Sequence, residues 1–366
     1  MRIAREVDEA LRSAAARRAR ASFCILTSVL SGALAAASHA RSPQERANPL
    51  TTWTVTVVLP PKLMAGHPAT LAVLGVDGKL APGVRVDLSD GESLTTDRTG
   101  RAVFTVPAAG DYLLVKGSGA SAAALIDPAV AESEPKAITL PPVVSTQDRF
   151  WICGAGLRGE ADANTVKING KTALVMAASP TCLVALAAPE TKPGPALLSI
   201  EAPGVQWSAT TTLVSLEFEP PSPALKPGAK GQLAVRVRGS NLKLGIAVQN
   251  RTPGVLRFAR GDVQELVTNG GAQNLATIRV QALTSGDFSF GASLLPARDA
   301  GSAARYLRAA AALAPQELQR EIGEMARDVE RRPRDVEKQR AELRRISQGT
   351  IAGDFRTLLD AALAAL

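Results

Sequence analysis

Histidine and cysteine are nearly missing from this 366-residue chain, which holds two of the first and three of the second. An export signal read at the N-terminus takes away one of each, leaving His67, Cys153 and Cys182. That shortage excludes a zinc site built from several Cys and His ligands, and any Ser-His-Asp triad would have to use His67. His67 lies in the turn Ala65-Gly66-His67-Pro68 and reads as a solvated loop residue. Aromatic residues make up only 4% of the chain, and Trp53, Trp151 and Trp207 are its only indoles. Nucleic-acid faces interleave cations with stacking rings, so nucleic acid is not expected as a partner.

Long apolar runs are equally scarce. Ala21 to Ala37 is preceded by Arg12, Arg17, Arg18 and Arg20 and followed by the small-residue exit Ser38-His39-Ala40. This is the pattern of a secretory signal peptide over residues 1–40, with retention as an uncleaved anchor the alternative. Residues 1–40 carry six Arg against Glu6, Asp8 and Glu9, so cleavage lowers the net charge from +8 to +5. The expected location is the periplasm, the cell surface or the exterior.

What the chain does have is alternation. The runs TWTVTVVL, ATLAVLG, VRVDL, RAVFTV and DYLLV change face every residue and are separated by Gly, Pro and Asp turns. The runs GQLAVRVRG, LKLGIAV, VLRFA, NLATIRVQAL and DFSFGASLL repeat the pattern after residue 230. Pro-rich stretches at Asp127 to Pro142, Glu219 to Pro223 and Pro296 to Gly301 read as semi-rigid connectors. The expected architecture is therefore mainly β: sandwiches at 41–140, 141–220 and 221–298, followed by a helical segment at 299–366. Beyond Gly301 the period becomes helical, with helices expected at Gln316 to Arg332, about Arg334 to Ser347, and Asp354 to Leu366. The apolar stripes of the first two are narrow, like coiled-coil seams. The tail is thus either a self-contained hairpin or a docking and homo-oligomerisation element presenting Phe355, Leu358, Leu359, Leu363 and Leu366.

Two stretches resemble known families. The string LAPGVRVDLSDGESLTTDRTGRAVFTVPAAGDYLLV resembles bacterial Ig-like and carboxypeptidase-regulatory-like domains, which are commonly accessory or stalk modules. Ile152-Cys153-Gly154-Ala155-Gly156-Leu157, Val166-Lys167-Ile168-Asn169-Gly170 and Ser179-Pro180-Thr181 resemble the IPT/TIG branch of Ig-like domains, with Leu157 where an aromatic is usual. That resemblance implies that the Cys153 and Cys182 strands are antiparallel neighbours. Alternation turns Phe150, Ile152, Leu183 and Ala185 inward and both cysteines outward, so a Cys153–Cys182 disulfide is expected in an oxidising compartment. The same register turns Trp151 outward, as cover for a disulfide or a domain seam.

Acidic Asp87, Asp90 and Glu92 could ligate calcium but read more simply as a polar turn. No cofactor, metal site or catalytic residue is expected. The reading that remains is an exported non-catalytic binding or scaffolding protein with a protein or cell-envelope polysaccharide as partner. The loops Leu157 to Asn164 and Asn250 to Asp262 are candidate contact regions beside Trp151 and the terminal helix. Alternatives are an accessory carbohydrate-binding component, a weak hydrolase using carboxylates only, and an oligomerising tail on a β stalk.

Overall fold

The computed structural model describes residues 55–129, 138–219, 225–259, 261–295, 297–332 and 335–366. The expected signal peptide, Trp53 and most of the first two Pro-rich connectors lie outside the described residues. The fold is mainly β, three sandwiches in tandem followed by helices.

The first sandwich contains β1 (Thr56–Val58), β2 (Lys62–Met64), β3 (Pro68–Leu74), β4 (Arg85–Leu88), β5 (Ser93–Thr95), β6 (Arg101–Thr105), β7 (Tyr112–Gly117) and β8 (Ala120–Asp127). A sheet of β1, β3 and β6 faces a sheet ordered β2-β8-β7-β4-β5. In β4, Val86 and Leu88 enter the core while Arg85 and Asp87 stay outside, as period-two alternation requires. β3 departs from that pattern because it is buried on both faces. Ala69, Leu71 and Val73 fill the first core, whereas Ala72 and Leu74 belong to a separate cluster with Met176, Ala177 and Val184 of the second sandwich. A strand written ATLAVL, with no polar residue but Thr70, is a strand with two partners.

The second sandwich contains β9 (Val143–Ser145), β10 (Arg149–Cys153), β11 (Thr165–Ile168), β12 (Lys171–Ala178), β13 (Cys182–Leu186), β14 (Gly194–Ala202) and β15 (Val205–Glu219). β12 serves both sheets, pairing β11 through Ala173 and β13 from Leu174 onward, with a bulge between Val175 and Ala177 inside the second ladder. The β11–β12 hairpin closes through Asn169 (φ 49°) and Gly170 (φ 80°), the two positive-φ residues that a type I′ turn demands.

The third sandwich contains β16 (Lys230–Arg238), β17 (Gly245–Asn250), β18 (Leu256–Phe258), β19 (Val263–Val267), β20 (Leu275–Ala282) and β21 (Phe290–Leu294). β15 ends beside the expected boundary at residue 220. β15 pairs β14 through Leu213 and then pairs β16 from Ser215 to Glu219, so one strand belongs to two sandwiches. No Gly or Pro interrupts residues 205–219, and the core-facing parity switches at adjacent Leu213 and Val214, the first in the core of the second sandwich and the second, with Leu216, in that of the third.

Four helices rather than three follow among the described residues: α1 (Ala300–Leu313), α2 (Gln316–Arg331), α3 (Val336–Gly349) and α4 (Asp354–Ala365). The unexpected α1 is Ala-rich and capped by Asp299, whose carboxylate accepts from Ser302 N at 2.9 Å and Ser302 Oγ at 2.7 Å. The tail is not self-contained. Its core, built on Leu307, Ile322, Val329, Leu343 and Leu358, also takes in Leu114 and Leu125 of the first sandwich.

Candidate functional site

Cys153 and Cys182 sit directly opposite each other on β10 and β13 and form a disulfide, S–S 2.07 Å, with Cα atoms 4.1 Å apart. Phe150, Ile152, Leu183 and Ala185 fill the core of the second sandwich, so both cysteines do turn away from it. Turning away is not the same as reaching solvent. Cys182 is fully buried, because that side of β13 faces the first sandwich. Ser179 Oγ accepts from Cys182 N at 3.0 Å and donates to Lys62 O at 2.7 Å, joining the disulfide strand to β2. Trp151 lies opposite Val184 of the shared apolar cluster and keeps 38% of its surface exposed, at the rim of the seam.

The loop Leu157 to Asn164, expected to be free for contact, is instead part of that seam. Thr70 Oγ1 donates to Gly159 O at 2.7 Å and accepts from Ala161 N at 3.1 Å, while Arg101 reaches Asp162 at 2.5 Å. The terminal helix is used in the same way. Leu358, Leu359 and Leu366 are buried and Phe355 and Leu363 half-buried, all within the core shared with the first sandwich. The expected docking face is therefore covered by the chain itself, since α4 packs on α1 and β8.

Charges tie the same bodies together. Arg305 pairs with Asp127 and donates to Ile126 O at 2.6 Å; Lys116 reaches Asp354 at 2.7 Å and Lys62 reaches Asp299 at 3.0 Å. On the third sandwich, Glu265 of β19 accepts from Arg340 and forms an ion pair with Arg344, both on α3. Burial works against the Glu265 carboxylate, but hydrogen bonds from the two guanidinium groups hold its pKa below the ordinary value. Asp299 behaves alike: burial opposes ionisation, and the bonds from Ser302 and Lys62 outweigh it. Burial pushes the Tyr306 phenol up. Asp87 is lowered by hydrogen bonds from Ser93 and Arg85. These carboxylates are fixed negative partners; protonating a leaving group needs one held above its ordinary value.

An open groove of about 610 Å³ lies between the 117–121 hairpin and the start of α4. Its charges pair off as Arg85 with Asp87 and Lys116 with Asp354.

The surface feature that sequence reading missed is aromatic. Four of the eight phenylalanines gather at one end of the third sandwich. Phe290 lies 5.5 Å from buried Phe258, 5.4 Å from Phe218 and 5.3 Å from Phe288, centroid to centroid. Phe288 is 42% exposed. It is held in place, since Ser289 N donates to Thr252 Oγ1 and Arg251 N to Ser289 O, each at 3.0 Å. The expected contact loop Asn250 to Asp262 therefore does adjoin this exposed ring. The signal was present in Phe288-Ser289-Phe290, two rings of one parity, but attention to Trp alone passes over it.

No protein-family model and no curated protein matches this sequence. Among solved structures, the chain is similar to the N-terminal four Ig domains of Dscam1, with 10% identity over 64% of this chain and 73% of that one and a TM-score of 0.21. A full plexin extracellular region aligns at 13% identity over 69% of this chain and 24% of the plexin, TM-score 0.26. SGBP-B of a Bacteroides ovatus mixed-linkage glucan utilisation locus, in complex with a mixed-linkage heptasaccharide, aligns at 11% identity over 64% of this chain and 72% of that one, TM-score 0.23. Scores this low carry no information about ligand.

Proposed function

We propose that this chain is an exported, non-catalytic binding and scaffolding protein of the bacterial cell envelope or exterior, with its second sandwich an IPT/TIG-like module. The exposed ring of Phe288, backed by Phe290, Phe218 and Phe258, carries this reading. A large ring already fixed on a rigid support loses little freedom when a partner covers it, which is the property of an interface anchor. The first two sandwiches and the helices act as the frame, with seams closed by apolar clusters and ion pairs. The partner is a protein or a cell-envelope polysaccharide.

The test is quantitative capture from cell-envelope extract with residues 41–366 and with the same chain carrying Phe288→Ala. Truncating an anchor costs at least about 1 kcal/mol, roughly fivefold in affinity. The expected result is a component enriched by the native chain and depleted at least that much by the variant. Identical recovery on both removes the aromatic end as the binding surface.

A further inference from the structure

Cations scattered in sequence converge on the outer face of the sheet formed by β15, β16, β20 and β18. Leu233, Val235 and Val237 of β16 and Ile278 and Val280 of β20 face the core, so Lys230, Gln232, Arg279 and Gln281 face out, with Arg257 from β18. The register fixes their neighbours: Gln281 stands between Lys230 and Arg257, and Arg279 stands beside Gln232. Strand spacing then puts the Lys230 and Arg257 Cα atoms about 10 Å apart, with Arg279 about 7 Å along β20 from their shared neighbour. Lys226 sits in the adjoining turn, where Ala229 N donates to its carbonyl at 2.9 Å. Lys226, Lys230, Arg257 and Arg279 are all exposed.

The other half of this face differs. There Arg236 pairs with Glu219 and Arg238 with Glu217. None of the four cations beyond them enters an ion pair among the described residues. The face is thus neutral on the β15 side and positive on the β18 side, with the amides of Gln232 and Gln281 between the charges.

We propose that this face binds an anionic polysaccharide, with Lys226, Lys230, Arg257 and Arg279 pairing its acidic groups and Gln232 and Gln281 bonding its hydroxyls. The inference rests on the exported binding reading and assigns the polysaccharide part of it to a surface distinct from Phe288. Charge complementarity calls for a polyanion, and a flat row of cations suits an extended chain with repeated acidic groups. Sequence-tolerant nucleic-acid binding uses aromatic platforms, and the outward residues of β16, β18 and β20 include no ring. Insertion at a lipid surface needs large apolar side chains beside the cations; here they are Ala234, Thr277 and the half-buried Leu275.

The experiment measures retention of residues 41–366 on immobilised polygalacturonate and heparin, with dextran as the neutral control, across a salt series. Single-stranded DNA and phosphatidylglycerol vesicles serve as competing polyanions. The native chain is expected to bind both anionic glycans and not dextran. Combining Lys230→Gln, Arg257→Gln and Arg279→Gln should flatten the log–log salt slope by about three and weaken binding at least tenfold near 0.15 M salt. Lys79→Gln, Arg98→Gln and Lys192→Gln together remove the same charge from exposed positions elsewhere and should leave the slope unchanged. Phe288→Ala should keep the glycan retention, which separates failure of this inference from failure of the aromatic docking surface. Retention unaltered by the face variant, equally lost in the control variant, or equally tight on DNA or vesicles overturns the proposal. So does a native chain that no glycan retains.

Discussion

Adding one methyl group at Gly159 should open the seam between the first two sandwiches. A Cβ built on Gly159 falls 1.8 Å from Pro68 O, 2.5 Å from Pro68 C and 3.2 Å from Ala69 N. All three are backbone atoms of β3 or its first residues, so no side chain can swing aside and the two segments must separate. Separation pulls on the two hydrogen bonds of Thr70 and on the Arg101–Asp162 pair. Overpacking costs about 1 to 3 kcal/mol and each of the two neutral hydrogen bonds about 1 kcal/mol, so Gly159→Ala should destabilise by about 3 to 5 kcal/mol. For a body of this size that is a fall in Tm of about 4 to 10 °C. Calorimetry gives the shift, and hydrogen exchange locates it, with faster exchange expected in β3 and residues 159–163 while β16 and β20 stay protected. A variant within about 0.5 kcal/mol of the native chain, the range of surface substitutions, would refute the close approach.

Three further outcomes are expected. Replacing Cys153 and Cys182 together by Ser opens a loop closed across 29 residues and should cost about 3 to 4 kcal/mol in chemical denaturation under oxidising conditions. Leu359→Ala should cost about 2 to 5 kcal/mol, and truncation after Arg298 should leave Leu114 and Leu125 uncovered, giving dye binding and aggregation where a free-standing tail would give neither. Glu265 has a folded pKa held below its ordinary 4.5, so its contribution is present above that pH and is lost as the pH falls through the lowered value. Denaturant midpoints of the native chain should accordingly decline more steeply below about pH 4.5 than those of Glu265→Gln.

Local pattern carried much of the fold. RVDL, DYLLV, GQLAVRVRG and NLATIRVQAL all became strands, since alternation records which side of a strand meets a core. The disulfide was legible for the same reason, once a resemblance made the two strands neighbours. What stayed hidden depends on a second partner. Thr70, Ala72 and Leu74 look like any strand face until another sandwich covers them, and the leucines of α4 look free until β8 is seen beneath them. The junction in β15 has no punctuation because a continuous strand needs none. Lys230, Arg257 and Arg279 stand far apart in sequence, and only the pairing of β16, β20 and β18 gathers them on one face.

Co-sedimentation with the insoluble cell envelope tests the central claim most directly. Residues 41–366 would be titrated onto envelope material beside a chain carrying Phe288→Ala, Lys230→Gln, Arg257→Gln and Arg279→Gln together, whose folding is checked by its Tm. The account predicts saturable binding of the native chain and at least a tenfold loss in the combined variant. Equal binding of the two, or no saturable binding by the native chain, would contradict it.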